Sequence, residues 1–119
     1  MREILFKAKR WSDGKWVYGD LNQLQDSTII HWYNNGCRVA DEVAPSTVCE
    51  YTGLKDKNGK RIFEGDNVYD PHENSIYTVE WNENNAIFQM AHDGRRRSAE
   101  TAYYCEIIGN IYDGEGNND

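Results

Sequence analysis

The sequence predicts an all-β fold of antiparallel strands, with a small, SH3-like, partly open barrel and short helical turns at most. Three observations point to it. Runs rich in β-branched and aromatic residues recur about every 8–12 residues. Clusters of Gly, Asn, Asp and Ser separate them, and no segment sustains the 3.6-residue period of a helix.

Residues 3–10 (EILFKAKR) open the chain as a half-buried strand, with Ile4, Phe6 and Ala8 facing one way and Leu5, Lys7 and Lys9 the other. Ser12, Asp13 and Gly14 form a turn, and residues 15–19 (KWVYG) return as the second arm of a hairpin. Residues 20–27 (DLNQLQDS) are polar and read as a loop or one helical turn. The run 28–33 (TIIHWY) is a strand, Asn34, Asn35 and Gly36 turn, and residues 37–40 (CRVA) pair back. Residues 41–45 connect, with Ala44 held extended by Pro45, and 46–51 enter the next strand.

The densest turn chemistry lies in 48–68 (VCEYTGLKDKNGKRIFEGDNV). Asn58 and Gly59 both tolerate positive φ, which predicts a tight turn there. A brief strand through Arg61, Ile62 and Phe63 then bends at Gly65 and restarts at Asn67. Residues 70–75 form a hairpin loop, 76–81 (IYTVEW) a strand alternating Tyr77, Val79 and Trp81 against Ile76, Thr78 and Glu80, and 82–85 a turn. Residues 86–91 pair back. Residues 92–101 are polar, with Arg95, Arg96 and Arg97 in a loop and one short helical turn. The last strand is 102–112 (AYYCEIIGNIY), where Gly109 signals a bulge. One domain is expected over 1–113, with a frayed acidic tail at 114–119.

At 119 residues the chain suits one domain, and four Trp, eight Tyr and three Phe compensate for a mean hydropathy of -0.86. Its formal net charge of -7 repels phosphate backbones on average. The first twenty residues carry five basic and three acidic groups, against that trend. Cys37, Cys49 and Cys105 fit neither a disulfide framework nor a metal site, so reduced thiols in a cytoplasmic protein are expected. No run approaches the ~20 apolar residues of a membrane span, and the N-terminus lacks the pattern of a signal peptide.

Several pieces in order carry a resemblance: Thr47-Val48, Tyr51-Thr52-Gly53-Leu54, Asp56-Lys57-Asn58-Gly59, Ile62-Phe63-Glu64-Gly65-Asp66 and Val68. They are flanked by Ile4, Phe6 and Ala8, by Trp16-Val17-Tyr18-Gly19, and by Glu106-Ile107-Ile108-Gly109-Asn110-Ile111-Tyr112. Together they resemble the YopX family, small proteins encoded mainly by bacteriophages and prophages. The match is loose between Ala86 and Thr101. The resemblance implies a mostly β fold and a phage or prophage origin. It carries over no catalytic or binding residue.

Glu64 and Asp66 lie two apart, a spacing that could serve acid–base chemistry or cation binding, but Gly65 between them reads as turn chemistry. His31 reads as a hydrogen-bonded packing residue, and His72 and His92 as solvated loop residues. Cys49 or Cys105 as a nucleophile requires a neighbouring base. Gly53, Gly59 and Gly65 match no phosphate-loop spacing. Tyr69, Tyr77, Trp81 and Phe88 are read mainly as core, with an aromatic binding platform as the other reading.

The partner-binding candidates are Arg95, Arg96, Arg97, Tyr69, His72 and Tyr103, with function expected on the loops 71–75 and 92–101. The first reading is a non-enzymatic accessory module that binds a host or phage protein, alone or as a homo-oligomer. A nucleic-acid-binding small barrel is the second, and a metal-binding or enzymatic protein using Glu64 and Asp66 the third. No cofactor, metal, catalytic residue or membrane partner is expected.

Overall fold

A computed structural model describes residues 3–113. Its strands are antiparallel, as expected, and they form two sheets, but no barrel closes among the described residues, because the sheets end on open edge strands. The chain divides into two compact units, residues 3–50 and Tyr51–Asp113. The expected tail at 114–119 lies outside the described residues.

The first unit is a meander of β1 (Phe6–Lys9), β2 (Trp16–Gln23), β3 (Thr28–Asn34) and β4 (Cys37–Glu42). Asn35 (φ 52°) and Gly36 (φ 82°) form the two-residue link between β3 and β4, with both residues left-handed as such a hairpin demands. Ala8, Val17, Ile30 and Val43 form the core, with Phe6, Leu21, Trp32 and Val48 packed against them. A 3-10 turn over Pro45–Thr47 occupies part of the strand expected at 46–51. It places Thr47 inside, where its hydroxyl accepts from Lys9 N (2.9 Å) and donates to Ala44 O (2.7 Å).

Three expectations for this unit are corrected. Residues 20–23 are strand rather than loop, because Asp20, Leu21, Asn22 and Gln23 pair with β3 while Leu21 reaches the core. Lys7 and Lys9 are buried rather than solvated, their ammonium groups 4.5 and 5.1 Å from the centroid of the Trp16 ring. Ile4 is exposed, outside β1. Gly19 is required by proximity: a Cβ there would lie 2.0 Å from the carbonyl oxygen of His31.

In the second unit β7 (Asp66–Asp70), β8 (Ser75–Asn82), β9 (Ile87–His92), β10 (Arg95–Ser98) and β11 (Glu106–Asn110) form a sheet in the order β10-β9-β8-β7-β11. Strand β5 (Cys49–Lys55) enters this unit and pairs with β6 (Arg61–Phe63). Ile62, Val68, Tyr77, Val79, Met90, Ala102 and Cys105 form the core. The register of β11 on β7 shifts between Ile107 and Gly109, the irregularity that Gly109 signalled.

Two buried aspartates fix the bends. Asp56 accepts from Asn58 N and Lys60 N with one oxygen (both 2.9 Å) and from Ile107 N with the other (3.0 Å). Asp66 accepts from Phe63 N (2.8 Å) and from the Asn110 side chain (2.9 Å). Both are almost fully buried, and donors on every side make that burial tolerable.

Three further expectations change here. Of the Asn58-Gly59 pair only Gly59 is left-handed (φ 79°). The arginine run is not a loop but the edge strand β10, following a turn with Asp93 (φ 46°) and Gly94 (φ 79°) left-handed. Three charges on an outer strand discourage another strand from adding to it. Residues 102–104 belong to a 3-10 helix (Ala99–Tyr104) rather than to the last strand, with the Ser98 hydroxyl accepting from Glu100 N.

The two glycines make opposite predictions. Gly59→Val should cost about 1–2 kcal/mol through backbone strain alone. Its surroundings are open, so Gly59→Asn should be nearly neutral in urea unfolding. Gly19→Ala should cost roughly 3 kcal/mol, because the added carbon meets backbone that has no room to yield.

Candidate partner-binding site

The loop after β7, the start of β8, strand β10 and the 3-10 helix bring one polar and aromatic cluster together. At its centre is Asp70, whose side chain has no exposed surface. Its Oδ1 accepts from His72 N (2.8 Å) and Glu73 N (3.2 Å), which holds the loop's first turn. Its Oδ2 accepts from Arg97 Nη1 at 2.6 Å and from the Tyr104 hydroxyl at 3.5 Å. Asp70 is covered by these side chains rather than by depth of core.

Arg97 gathers the rest. Its Nη1 also donates to Glu73 Oε2 (2.8 Å), and its Nη2 donates to the Tyr104 hydroxyl. The Tyr77 hydroxyl donates to Glu73 from a ring that is otherwise core. Arg95 reaches Glu73 Oε1 at 3.4 Å. The guanidinium carbons of Arg95 and Arg97 lie 5.9 and 5.5 Å from the Tyr77 ring centroid.

The electrostatics follow. Burial pushes the Asp70 carboxyl up, but Arg97 and the N–H groups of Glu73 and His72 outweigh it and hold it below the usual carboxylate range. Arg97 is raised, chiefly by the Tyr104 hydroxyl and then by Asp70, against an opposing push from burial. Tyr77 is raised by its bond to Glu73 and by burial. Nearby Cys105 is pushed up to about 11, first by burial and then by the negative charge of Asp70. A thiol held protonated in this way is a poor nucleophile at neutral pH.

What the cluster presents outward is aromatic. Tyr103 is 69% exposed and meets Tyr104 edge-on, ring centroids 5.1 Å apart. His72, also exposed, meets the same ring edge-on at 4.7 Å. Tyr104 is thus pinned by Arg97 behind and flanked by two rings in front.

Of the six candidates from the sequence, Arg95, Arg97, His72 and Tyr103 come together here. The other two do not. Tyr69 and Arg96 point to the opposite face of their strands, where the Tyr69 hydroxyl donates to Asn74 Oδ1 (2.6 Å) and Arg96 Nε lies 3.4 Å from Glu80. Asp70 and Glu73 escaped notice as members. Arg97 lies 27 residues from Asp70, and no local pattern signals a partner that far away.

The remaining candidates resolve individually. Asp66 has both oxygens occupied by protein donors, and no group of His, Cys, Asp and Glu suited to a metal ion occurs among the described residues. His31 is not hydrogen-bonded as expected: both ring nitrogens are buried with no partner. His92 is no solvated loop residue but the end of β9, with Nδ1 2.9 Å from Ile76 O. Cys49 is buried, its thiol donating to Thr47 O (3.3 Å). Tyr77 is core, whereas Trp81 (41% exposed) and Phe88 form a separate edge-on pair at 4.9 Å.

A family model described as YopX protein matches residues 5–115, from just before β1 to just past β11. The chain belongs to the YopX family. No curated protein matches it. The YopX match runs through residues 86–101, where the motif resemblance is loosest, so β9 and β10 are part of the family's extent. No helix among the described residues is long and apolar enough to cross a membrane.

Asp70→Asn should destabilise the protein by about 2 kcal/mol at pH 7, the range of a hydrogen bond to a charged group. The folded-state pKa of Asp70 lies below its unfolded value of about 4. Its contribution is therefore present above pH 4 and lost as pH falls through the lower, folded value. Stability measured against pH should show wild type and variant converging below pH 4.

Proposed function

We propose that this YopX protein is a non-enzymatic, protein-binding accessory module of phage or prophage origin, acting in the cytoplasm of a bacterial host. The observation that carries this reading is the neutralisation of the arginine run by the chain's own carboxylates. Arg97 is committed to Asp70 and Glu73, Arg95 to Glu73, and Arg96 to Glu80. A phosphate-binding strand needs cations in excess, and here the carboxylates answer them on an acidic chain.

What remains in front of the cluster is a small aromatic surface of His72, Tyr103 and Tyr104. Rigid aromatic side chains backed by arginine supply large contact area at low entropic cost, the composition that concentrates binding energy at protein interfaces. The partner is a host or phage protein, or a second copy of the chain.

A nucleic-acid partner is the second reading, favoured by one observation: the side chains of Arg95 and Arg96 are 55% and 53% exposed despite their ion pairs. Surface pairs of this kind are weak and can exchange partners.

Two variants separate the readings. With His72→Ala plus Tyr103→Ala, a protein partner co-purified from host cells should be lost while the melting temperature stays within about 2 °C. Replacing Arg95 and Arg96 with Ala should leave retention on single-stranded DNA and RNA unchanged. If that substitution abolishes retention on either nucleic acid, the protein-binding reading yields to the second one.

A further inference from the structure

The first unit holds a second concave surface, which no sequence motif marked. It lies where the exit of β1, the β2–β3 turn and the exit of β4 converge. Past β1, Arg10 bridges Val43 and Trp11 N donates to Glu42 O (3.1 Å). The β2–β3 turn is tight, with Leu24 N donating to Ser27 O (2.8 Å), which puts Gln25 and Asp26 at its tip. Past β4 the ladder gains one more bond, Val43 N to Thr28 O (2.9 Å), before the 3-10 turn begins at Pro45.

These segments enclose a cleft of about 410 Å³, large enough for a side chain and its neighbours. Its floor is made by Val43, fully buried, and by Thr28, only 7% exposed. Trp11 (61% exposed) and Leu24 (53%) supply apolar walls, and Asp26 and Glu42 bring carboxylates to the opening.

Three polar groups of this cleft are unanswered within the chain. The carboxylates of Asp26 and Glu42 meet no cation and accept no hydrogen bond among the described residues, and the Thr28 hydroxyl has no hydrogen-bond partner among them either. The guanidinium of Arg10, next to Trp11 in sequence, is committed elsewhere: it pairs with Asp13 (2.5 Å) and lies 3.6 Å from Asp41. No Lys, Arg or His lines the cleft.

We propose that this cleft is a docking site for an arginine side chain presented by a basic segment of a partner protein. A guanidinium is flat, stacks on an indole face and carries five N–H donors, so it answers an aromatic wall, two carboxylates and a buried hydroxyl together, as a compact ammonium does not. It lies against Trp11 with its N–H groups toward Asp26, Glu42 and the Thr28 hydroxyl, and an apolar residue beside the arginine rests on Leu24 and Pro45. The net charge of -7 draws such a segment in from a distance. The same carboxylates repel a phosphate backbone, so the charge favours a basic peptide over nucleic acid. The site shares no residue with the His72–Tyr103 surface and stands whether or not that surface binds protein.

The test is a selection from a displayed library of random twelve-residue peptides on the full chain, followed by anisotropy titration of the labelled synthetic consensus peptide. The expected consensus holds one invariant arginine beside a large apolar residue. Citrulline in place of that arginine keeps the shape, loses the charge and should abolish binding, and lysine should weaken it about tenfold. Trp11→Ala, and Asp26→Asn combined with Glu42→Gln, should each weaken binding about tenfold, with the melting temperature moving by less than about 2 °C because these side chains are exposed. His72→Ala plus Tyr103→Ala should leave binding unchanged. A consensus without arginine, or undiminished binding of the citrulline or lysine peptide, overturns the proposal. So does equal binding by the Trp11 variant, the mark of basic peptides held by net charge alone, and so does binding lost in His72→Ala plus Tyr103→Ala. N-acetylarginine amide binding as tightly as the peptide also overturns it, by making the cleft a small-molecule site.

Discussion

The second unit depends on a single electrostatic constraint, met three times. A carboxylate taken out of water must have donors at both oxygens or its charge is not sustained. Asp56, Asp66 and Asp70 each satisfy this by serving a nearby bend with one oxygen and a distant segment with the other. Turn geometry and tertiary structure are thereby held by the same atoms. The core of Ile62, Val68, Tyr77, Val79 and Met90 supplies the burial, and the aspartates determine which loops lie over it.

The same constraint shapes the candidate site. Asp70 draws Arg97 inward, Arg97 anchors Tyr104, and Tyr104 orients the rings of His72 and Tyr103. A surface that looks basic in the sequence is thus a neutral, braced mount for aromatic side chains. The arginines have a second use as well, since a charged outer strand resists accidental sheet extension. In the first unit the β2–β3 ladder ends at Asp20 and His31, and Trp16, Tyr18, Trp32 and Tyr33 line a cleft beyond it.

Much of the fold was legible because its signals are local. Asn35-Gly36, Gly59 and Gly65 mark bends through their own backbone preferences, and Gly109 marks the bulge in β11. Alternation revealed Tyr77 and Val79 as inward-facing. The errors share a cause, which is that polar residues read alike whether solvated or buried. Asp20 to Gln23 read as loop because only Leu21 betrays the core side of the strand. Lys7 and Lys9 read as solvent-facing because nothing nearby in sequence announces that Trp16 will lie against them. The site was half legible for the same reason: His72, Arg95, Arg97 and Tyr103 stood out by type, while Asp70 and Glu73 are ordinary residues made special by distant partners.

The bond from Ile107 to Asp56 spans 51 residues and joins the turn before β6 to the final strand. Strand β11 also forms the outer neighbour of β7. On a ribosome, which releases the chain from its N-terminal end, the 56–60 turn therefore emerges long before its second donor exists. The carboxylates of Asp56 and Asp66 stay in water, and the second unit cannot close until the last strand is free of the exit tunnel. The meander of the first unit needs only neighbours already made. Biosynthesis thus imposes an order on the two halves, with the first ready to fold while the second waits for its own end.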